Sequence, residues 1–149
     1  MSRGGRFRFS LETVLKVRGL REEQARWEVA RVQNELERTR RGLAETKDLR
    51  ARLAAELQTG EREWTLEDFR IFKTYLEHLK TTVDGFEQRV AEQKIELQEK
   101  MEVLTKRYQE RRLLEQLREK QYALFRRELM KTMEKETEAI VLGRFKSSF

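Results

Sequence analysis

The stretch that decides the fold runs from residue 69 to residue 97 and reads FRIFKTYLEHLKTTVDGFEQRVAEQKIEL. Its apolar side chains recur at alternating steps of three and four residues, which places them on one stripe of an α-helix. Only Gln93 interrupts the series, whose members are Phe69, Phe72, Leu76, Leu79, Val83, Phe86, Val90 and Leu97. A stripe this narrow fits a single partner helix, so the segment predicts a coiled coil.

A similar series runs from residue 11 to residue 57 and predicts a first long helix over residues 10–58, with Ser10 as its N-cap. One seam position takes Leu15, Glu22, Val29, Leu36, Leu43, Arg50 and Leu57. The other takes Leu11, Arg18, Ala25, Val32, Thr39, Thr46 and Leu53. Because nine of these 14 residues are apolar, the two segments can pair with each other.

The composition agrees with long helices. The chain has 149 residues, 40% of them charged, with no proline and no cysteine. The absence of proline removes the usual helix breaker, and the absence of cysteine excludes disulfides and thiolate chemistry. The aliphatic run Ala139–Leu142 is far too short to cross a bilayer, so we expect a cytoplasmic protein. The predicted fold class is all-α.

Glycines mark the expected boundaries. Gly60 suits the end of the first helix, and Thr65 with Asp68 resembles a capping box that restarts a helix. A simple hairpin would leave about 30 residues of the longer helix unpaired, which would expose apolar surface. We therefore expect a break near Asp84-Gly85, so that residues 86–142 pair with residues 11–57. The predicted segments are a flexible basic lead-in (1–9), a first long helix (10–58), a turn and short helical tip (59–85), a second long helix (86–142) and a C-terminal tail (143–149).

The resulting fold prediction is a long antiparallel two-helix coiled coil, a helical hairpin, with a short helical cap at its far tip. After Leu97 the apolar phase slips to Met101, Leu104 and Tyr108, which predicts a stutter in the supercoil.

Catalytic chemistry has little support in the sequence. His78 is the only histidine, so neither a histidine metal cluster nor a histidine-assisted nucleophile is available. No phosphate-binding loop of the Gly-x-x-x-x-Gly-Lys type occurs. We predict no enzyme activity, no cofactor and no metal.

Two features suggest partners. Residues 106–131 contain nine basic and four acidic residues, a net +5, and suit a protein partner, nucleic acid or simply solvent. The basic residues are Lys106, Arg107, Arg111, Arg112, Arg118, Lys120, Arg126, Arg127 and Lys131. The second feature is an aromatic cluster that either packs the turn or forms a docking patch, and it comprises Trp64, Phe69, Phe72, Tyr75 and Phe86.

Both ends of the chain resemble a known family. The opening run from Phe7 to Arg18, FRFSLETVLKVR, followed by Glu22-Glu23-Gln24-Ala25, is similar to the start of the FliJ family of flagellar export proteins. The run from Leu114 to Gln121, LEQLREKQ, with Phe125, Glu128 and Arg144-Phe145, resembles the C-terminal half of that family.

The resemblance implies a role in the flagellar type III export apparatus. FliJ proteins resemble the central stalk of rotary ATPases, a two-helix rod whose terminal end enters the hexameric export ATPase. The implied partners are that ATPase, the export-gate membrane protein and export chaperones, with peripheral association with the inner membrane through the apparatus. The ATPase supplies all catalysis, and the chain alone is expected to be a monomer.

Two sets of binding residues follow. By order along the chain, the family's gate-binding patch falls on Phe72, Leu76, Leu79 and Val83. Exposed charges at the terminal end suit a fast, reversible contact with the ATPase ring. The predicted ATPase-facing residues are Arg18, Arg21, Arg26, Arg126, Arg127 and Lys131.

Two other classes remain open. A structural coiled coil or homodimer unrelated to export would form a stable dimer in solution. A basic nucleic-acid or membrane-surface binder would show affinity that falls steeply with salt, whereas the export hypothesis expects no nucleic acid.

Overall fold

A computed structural model describes residues 5–60 and 63–147, except for the side chain of Ser147. This part of the chain forms two helices, α1 (Glu12–Thr59) and α2 (Leu66–Ser147), and the predicted all-α class is confirmed. The chain divides into two compact units. We call residues 24–104 the turn unit, and residues 1–23 with 105–149 the terminal unit.

In the turn unit, α1 and α2 pack antiparallel. Ion pairs join Lys47 to Glu87 at 3.1 Å and Arg31 to Glu96 at 3.3 Å. A higher residue number in α1 thus faces a lower residue number in α2, as antiparallel helices require. The apolar core of this unit comprises Ala25, Val29, Val32, Leu36, Leu79 and Val83. Burial of these side chains is the main stabilising contribution to the helix pair.

The predicted α1 seam is confirmed. All 14 seam positions between Leu11 and Leu57 are buried or half-buried, including the five that are not apolar. Val32 is fully buried, and Glu22 and Thr39 are buried polar members of the same stripe. The three-four spacing therefore located the interacting face even where the residue type did not.

The turn follows the sequence prediction. Gly60 has a φ of 64°, the left-handed conformation that glycine adopts without a steric penalty. The backbone N–H of Asp68 donates to Oγ1 of Thr65 at 3.1 Å, which caps the first turn of α2. The capping residue and the terminating glycine thus act as predicted.

The predicted break at Asp84-Gly85 is wrong. Helix α2 is continuous from Leu66 to Ser147, so residues 61–84 do not form a separate helical cap and the tail predicted from Gly143 is helical through Ser147. Phe86 lies against Gly42 rather than near residue 57, the pairing that the cap required. A glycine inside a helix costs only about 1 kcal/mol, which the buried neighbour Val83 and the packed ring of Phe86 offset.

The predicted stutter is also wrong. Burial along α2 keeps the three-four phase past Leu97, with Lys100, Leu104 and Arg107 half-buried. Met101 and Tyr108, which the apolar pattern favoured, are exposed. Lysine and arginine stems cover apolar surface while their charged heads reach solvent, so they hold seam positions without interrupting the coil.

The terminal unit has a paired and an unpaired part. An ion pair joins Arg118 to Glu12 at 3.1 Å, and Leu114 is buried. Residues 1–4 of the predicted flexible lead-in lie outside the described residues, but Phe9 is buried and the ring of Phe7 lies 5.2 Å from that of Tyr122. The segment 5–9 is therefore packed on α2. Beyond it, every described side chain from residue 130 to residue 146 is exposed.

Candidate functional site

The terminal unit contains a charged layer within its helix seam. Glu22 is only 3% exposed and its carboxylate accepts hydrogen bonds from the guanidinium of Arg111. Arg111 also pairs with Glu115 on its own helix. One helical turn before Glu22, the side chain of Arg18 donates to the backbone carbonyl of Glu110 at 2.9 Å. Arg18, Glu22 and Arg111 thus place three charged side chains at seam positions, where a coiled coil usually carries leucine.

The ionisation of this layer is fixed by its mutual contacts. The hydrogen bonds that Arg111 donates, first to Glu22 and then to Glu115, raise the pKa of Arg111. The hydrogen bond from Arg111 lowers the pKa of Glu115, because it favours the charged carboxylate. Both shifts favour the charged forms of Arg111 and Glu115.

A second ionic cluster lies in the turn unit. The guanidinium of Arg31 reaches Glu28 and Glu35 at 2.9 Å each, and Glu96 of the opposite helix at 3.3 Å. The hydrogen bond from Arg31 lowers the pKa of Glu28. All four groups are well exposed, so solvent screens the cluster and its contribution to stability is small.

The six predicted ATPase-facing residues fall into different surroundings. Arg18 is held by the carbonyl of Glu110, and Arg26 belongs to the turn unit. Arg21 is exposed on α1 of the terminal unit, whereas Arg126, Arg127 and Lys131 are exposed on α2, from the contact of Phe125 with Phe7 to the start of the unpaired end. In the pairing of Glu12 with Arg118, Arg21 lies about 26 Å along the axis from Arg126. The structure thus groups three of the six.

The four predicted gate-binding residues lie on one face of α2 in the turn unit. Leu79 and Val83 are each 6% exposed and belong to the interhelical core. Phe72 and Leu76 are half-buried, and the ring of Phe72 packs edge-on against Trp64 at 4.7 Å. Packing at the turn therefore accounts for Trp64 and Phe72, whereas Phe69 and Tyr75 are exposed.

The basic-rich stretch is largely neutralised by its own acids. Arg107 pairs with Glu110 at 3.4 Å, and Arg112 pairs with Glu115 at 3.2 Å. Arg111 and Arg118 are engaged with acids of α1. The largest group of exposed cations outside these ion pairs is Arg126, Arg127 and Lys131, and Lys106 and Lys120 are exposed singly.

The sequence analysis did not predict that the unpaired end of α2, residues 130–146, would expose apolar side chains. Its large exposed side chains are Met130, Met133, Ile140, Val141, Leu142 and Phe145. The fading of the seam pattern after Phe125 was the available signal, because the seam positions that follow carry Glu128, Thr132 and Lys135. Shallow grooves run along this segment, one lined by Met130, Met133, Glu134, Thr137 and Glu138.

Other kinds of site find no support in the part of the chain that the structure describes. No group of three His, Cys, Asp or Glu side chains there could hold a metal ion. No helix among residues 5–60 and 63–147 combines the length and apolarity needed to cross a membrane. Protein–protein contact is the chemistry that these surfaces suit.

The architecture and its surfaces define a class, the helical-hairpin coiled coils. The particular family follows from comparison: the family model described as flagellar FliJ protein matches residues 7–144, and the chain belongs to this family. It is therefore a component of flagellar protein export. No curated protein matches the chain, and neither does any solved structure.

Proposed function

We propose that this chain binds the hexameric flagellar export ATPase as a central-stalk-like subunit and contacts the export gate and escort chaperones. It acts in the cytoplasm and reaches the inner membrane only through the export apparatus. The observation that carries the proposal is the unpaired end of α2, which combines exposed cations with exposed apolar side chains in a FliJ-family chain.

The unpaired end suits a ring of similar subunits. A helix without a partner offers contacts around its full circumference, so successive subunits of a ring can each meet it. Exposed arginine and lysine side chains form screened, weak pairs that associate and dissociate quickly. Arg126, Arg127 and Lys131 are therefore the proposed contacts, with Arg21 as a separate secondary contact.

The test is stimulation of the cognate export ATPase by the purified protein. We expect the variant Arg126→Glu/Arg127→Glu/Lys131→Glu to lose at least tenfold in apparent affinity for the ring, since three attractive pairs become repulsive. Helicity by circular dichroism should not change, because all three side chains are exposed.

The matched control reverses three exposed cations of the turn unit, Arg38, Arg40 and Arg41, which changes the net charge equally. This control should stimulate the ATPase as the unaltered protein does. Equal stimulation by both triple variants would remove the proposed contact.

We also propose that the gate contact rests on Phe72 and Leu76. Their side chains are half-buried and keep some accessible surface, whereas Leu79 and Val83 are engaged by α1. Phe72→Ala should weaken binding to the cytoplasmic domain of the gate in a pull-down or calorimetric titration. Val83→Ala should mainly lower the melting temperature. If Phe72→Ala binds normally, the gate contact lies elsewhere.

A further inference from the structure

The terminal unit has an exposed apolar surface in addition to the unpaired end of α2. Val14 and Val17 are each 41% exposed and lie three residues apart on α1. On α2, Leu113 and Leu117 are 65% and 38% exposed and lie four residues apart. Residues three and four apart are neighbours on a helix surface, so each helix carries one exposed apolar pair.

The register of the two helices brings these apolar pairs to the same level. Glu12 pairs with Arg118 at 3.1 Å. Counting five residues from Glu12 along α1, and five residues back from Arg118 along α2, places Val17 level with Leu113. The other members of the two pairs are level with each other to within one residue, so the pairs lie side by side.

Both pairs also lie along the same edge of the helix pair. In the seven-residue repeat a to g, Leu15 and Arg111 hold seam position a, which puts Val14 and Leu117 at position g. Because the helices run in opposite directions, the g positions of both border one groove and the e positions border the other. The remaining valine and leucine, at position c, lie next to position g on the outer side. We call these four side chains the g-side groove.

Lysine side chains border the g-side groove. Lys106 and Lys120 take position c one heptad before and one heptad after Leu113, about 10 Å along the axis to either side. Both are exposed, and within the described part of the chain neither takes part in an ion pair. Glu110, an acid at position g, is paired with Arg107 at 3.4 Å. The groove is therefore apolar at its centre and positive at its rim.

The opposite groove differs because its charged side chains pair with each other. Glu115, at position e, accepts hydrogen bonds from Arg111 and from Arg112. Glu12, also at position e, pairs with Arg118. Contacts within the chain thus use the charges of that groove, whereas the g-side groove keeps its aliphatic side chains and its lysines exposed.

We propose that the g-side groove binds an amphipathic helix of another protein, one with aliphatic side chains on one face and acidic side chains beside them. Burial of the aliphatic side chains supplies the affinity, and the lysines select for negative charge. Lys106 and Lys120 are about 21 Å apart along the axis, which an incoming helix of about four turns would span. A second copy of this chain fits less well, since a contact of groove with groove would bring lysines against lysines.

The experiment measures the binding of two labelled synthetic helices to the full chain by fluorescence anisotropy. The acidic peptide has about three heptads with leucine at a and d and glutamate at e and g, and the basic peptide has lysine in place of glutamate. We expect the acidic peptide to bind with a Kd on the order of 10–100 μM, and the basic peptide to bind at least about tenfold more weakly.

The variants separate the apolar from the charged contribution. Leu113→Gln should weaken binding of the acidic peptide about tenfold, because the leucine side chain is no longer available for burial. Lys106→Glu/Lys120→Glu should abolish the preference for the acidic peptide. The matched control is Leu20→Gln, which removes a leucine that is 63% exposed at position f of α1, outside the groove. It should bind the acidic peptide as the unaltered chain does.

Equal affinity for the two peptides would overturn the proposal, and so would an equal loss of binding in Leu20→Gln and Leu113→Gln. Absence of binding by the acidic peptide at about 1 mM would overturn it as well. If Leu113→Gln instead abolishes self-association of the chain, the occupant is a second copy and the proposal is wrong. The groove shares no residue with the proposed ATPase and gate contacts, so these outcomes do not bear on them.

Discussion

Gly42 makes room for the ring of Phe86 in the turn unit. A Cβ atom built on this residue would lie 2.9 Å from Cζ of Phe86, a distance that real Cβ atoms do not tolerate. The ring of Phe86 thus occupies the space that a side chain would need. Glycine is used here for room and not for backbone conformation.

Gly42→Ala should therefore lower the free energy of unfolding by about 1 kcal/mol. The gain in helix propensity, about 1 kcal/mol, is outweighed by overpacking, which costs about 1–3 kcal/mol. Urea titration measures the change. Gly19→Ala is the control and should be stabilising, because nothing lies within 4 Å of its Cβ position. Adding Phe86→Leu should recover most of the loss, and a Gly42→Ala variant as stable as Gly19→Ala would contradict this account.

At the scale of the elements, glycine has a different effect at the end of α1 from its effect inside α2. Gly60 ends α1 with a φ of 64°, whereas Gly85 lies inside a continuous helix with open space around its Cβ position. The same residue type therefore has opposite consequences 25 positions apart in the chain.

We expect Gly60→Ala to lower the free energy of unfolding by about 1–2 kcal/mol, the cost of a left-handed alanine. Gly85→Ala should raise it by about 0.8 kcal/mol through helix propensity. Chemical denaturation with an unchanged m-value measures both. Destabilisation by Gly85→Ala would mean that α2 does bend or break at this glycine.

The success of the sequence prediction varied with the kind of signal. Spacing located the α1 seam completely, and Thr65 and Gly60 were correctly placed at the turn. The prediction of a helix break at Gly85 was wrong because the free-energy cost of a glycine inside a helix is smaller than the stabilisation from packing on either side of it. Residue type also misled at Lys100 and Arg107, which hold seam positions by their stems. The pairing of Glu22 with Arg111 joins residues 89 apart and left no local pattern to find.

At the scale of the molecule, each described stretch of α1 is covered by α2 of the same chain in its own unit. The seam is therefore satisfied within one chain, and the drive to pair with a second copy through this surface is removed. This distinguishes an export subunit from the rival class of homodimeric coiled coils, whose seam is completed only by a partner.

Light scattering after size exclusion should accordingly give a mass of 18.1 kDa that does not change with concentration. The exposed apolar end of α2 is the surface that could produce self-association, so the measurement should extend to high concentration. A stable species of twice the mass at the lowest concentration would favour the rival class.

The turn at Gly60 also dictates an order of folding. Contacts near it close short loops, and each one shortens the loop left for the next, so the pair zips from the turn outward. Arg31 meets Glu96 across 65 residues, and Glu22 meets Arg111 across 89. The contact of Glu22 with Arg111 is thus expected to form later than that of Arg31 with Glu96.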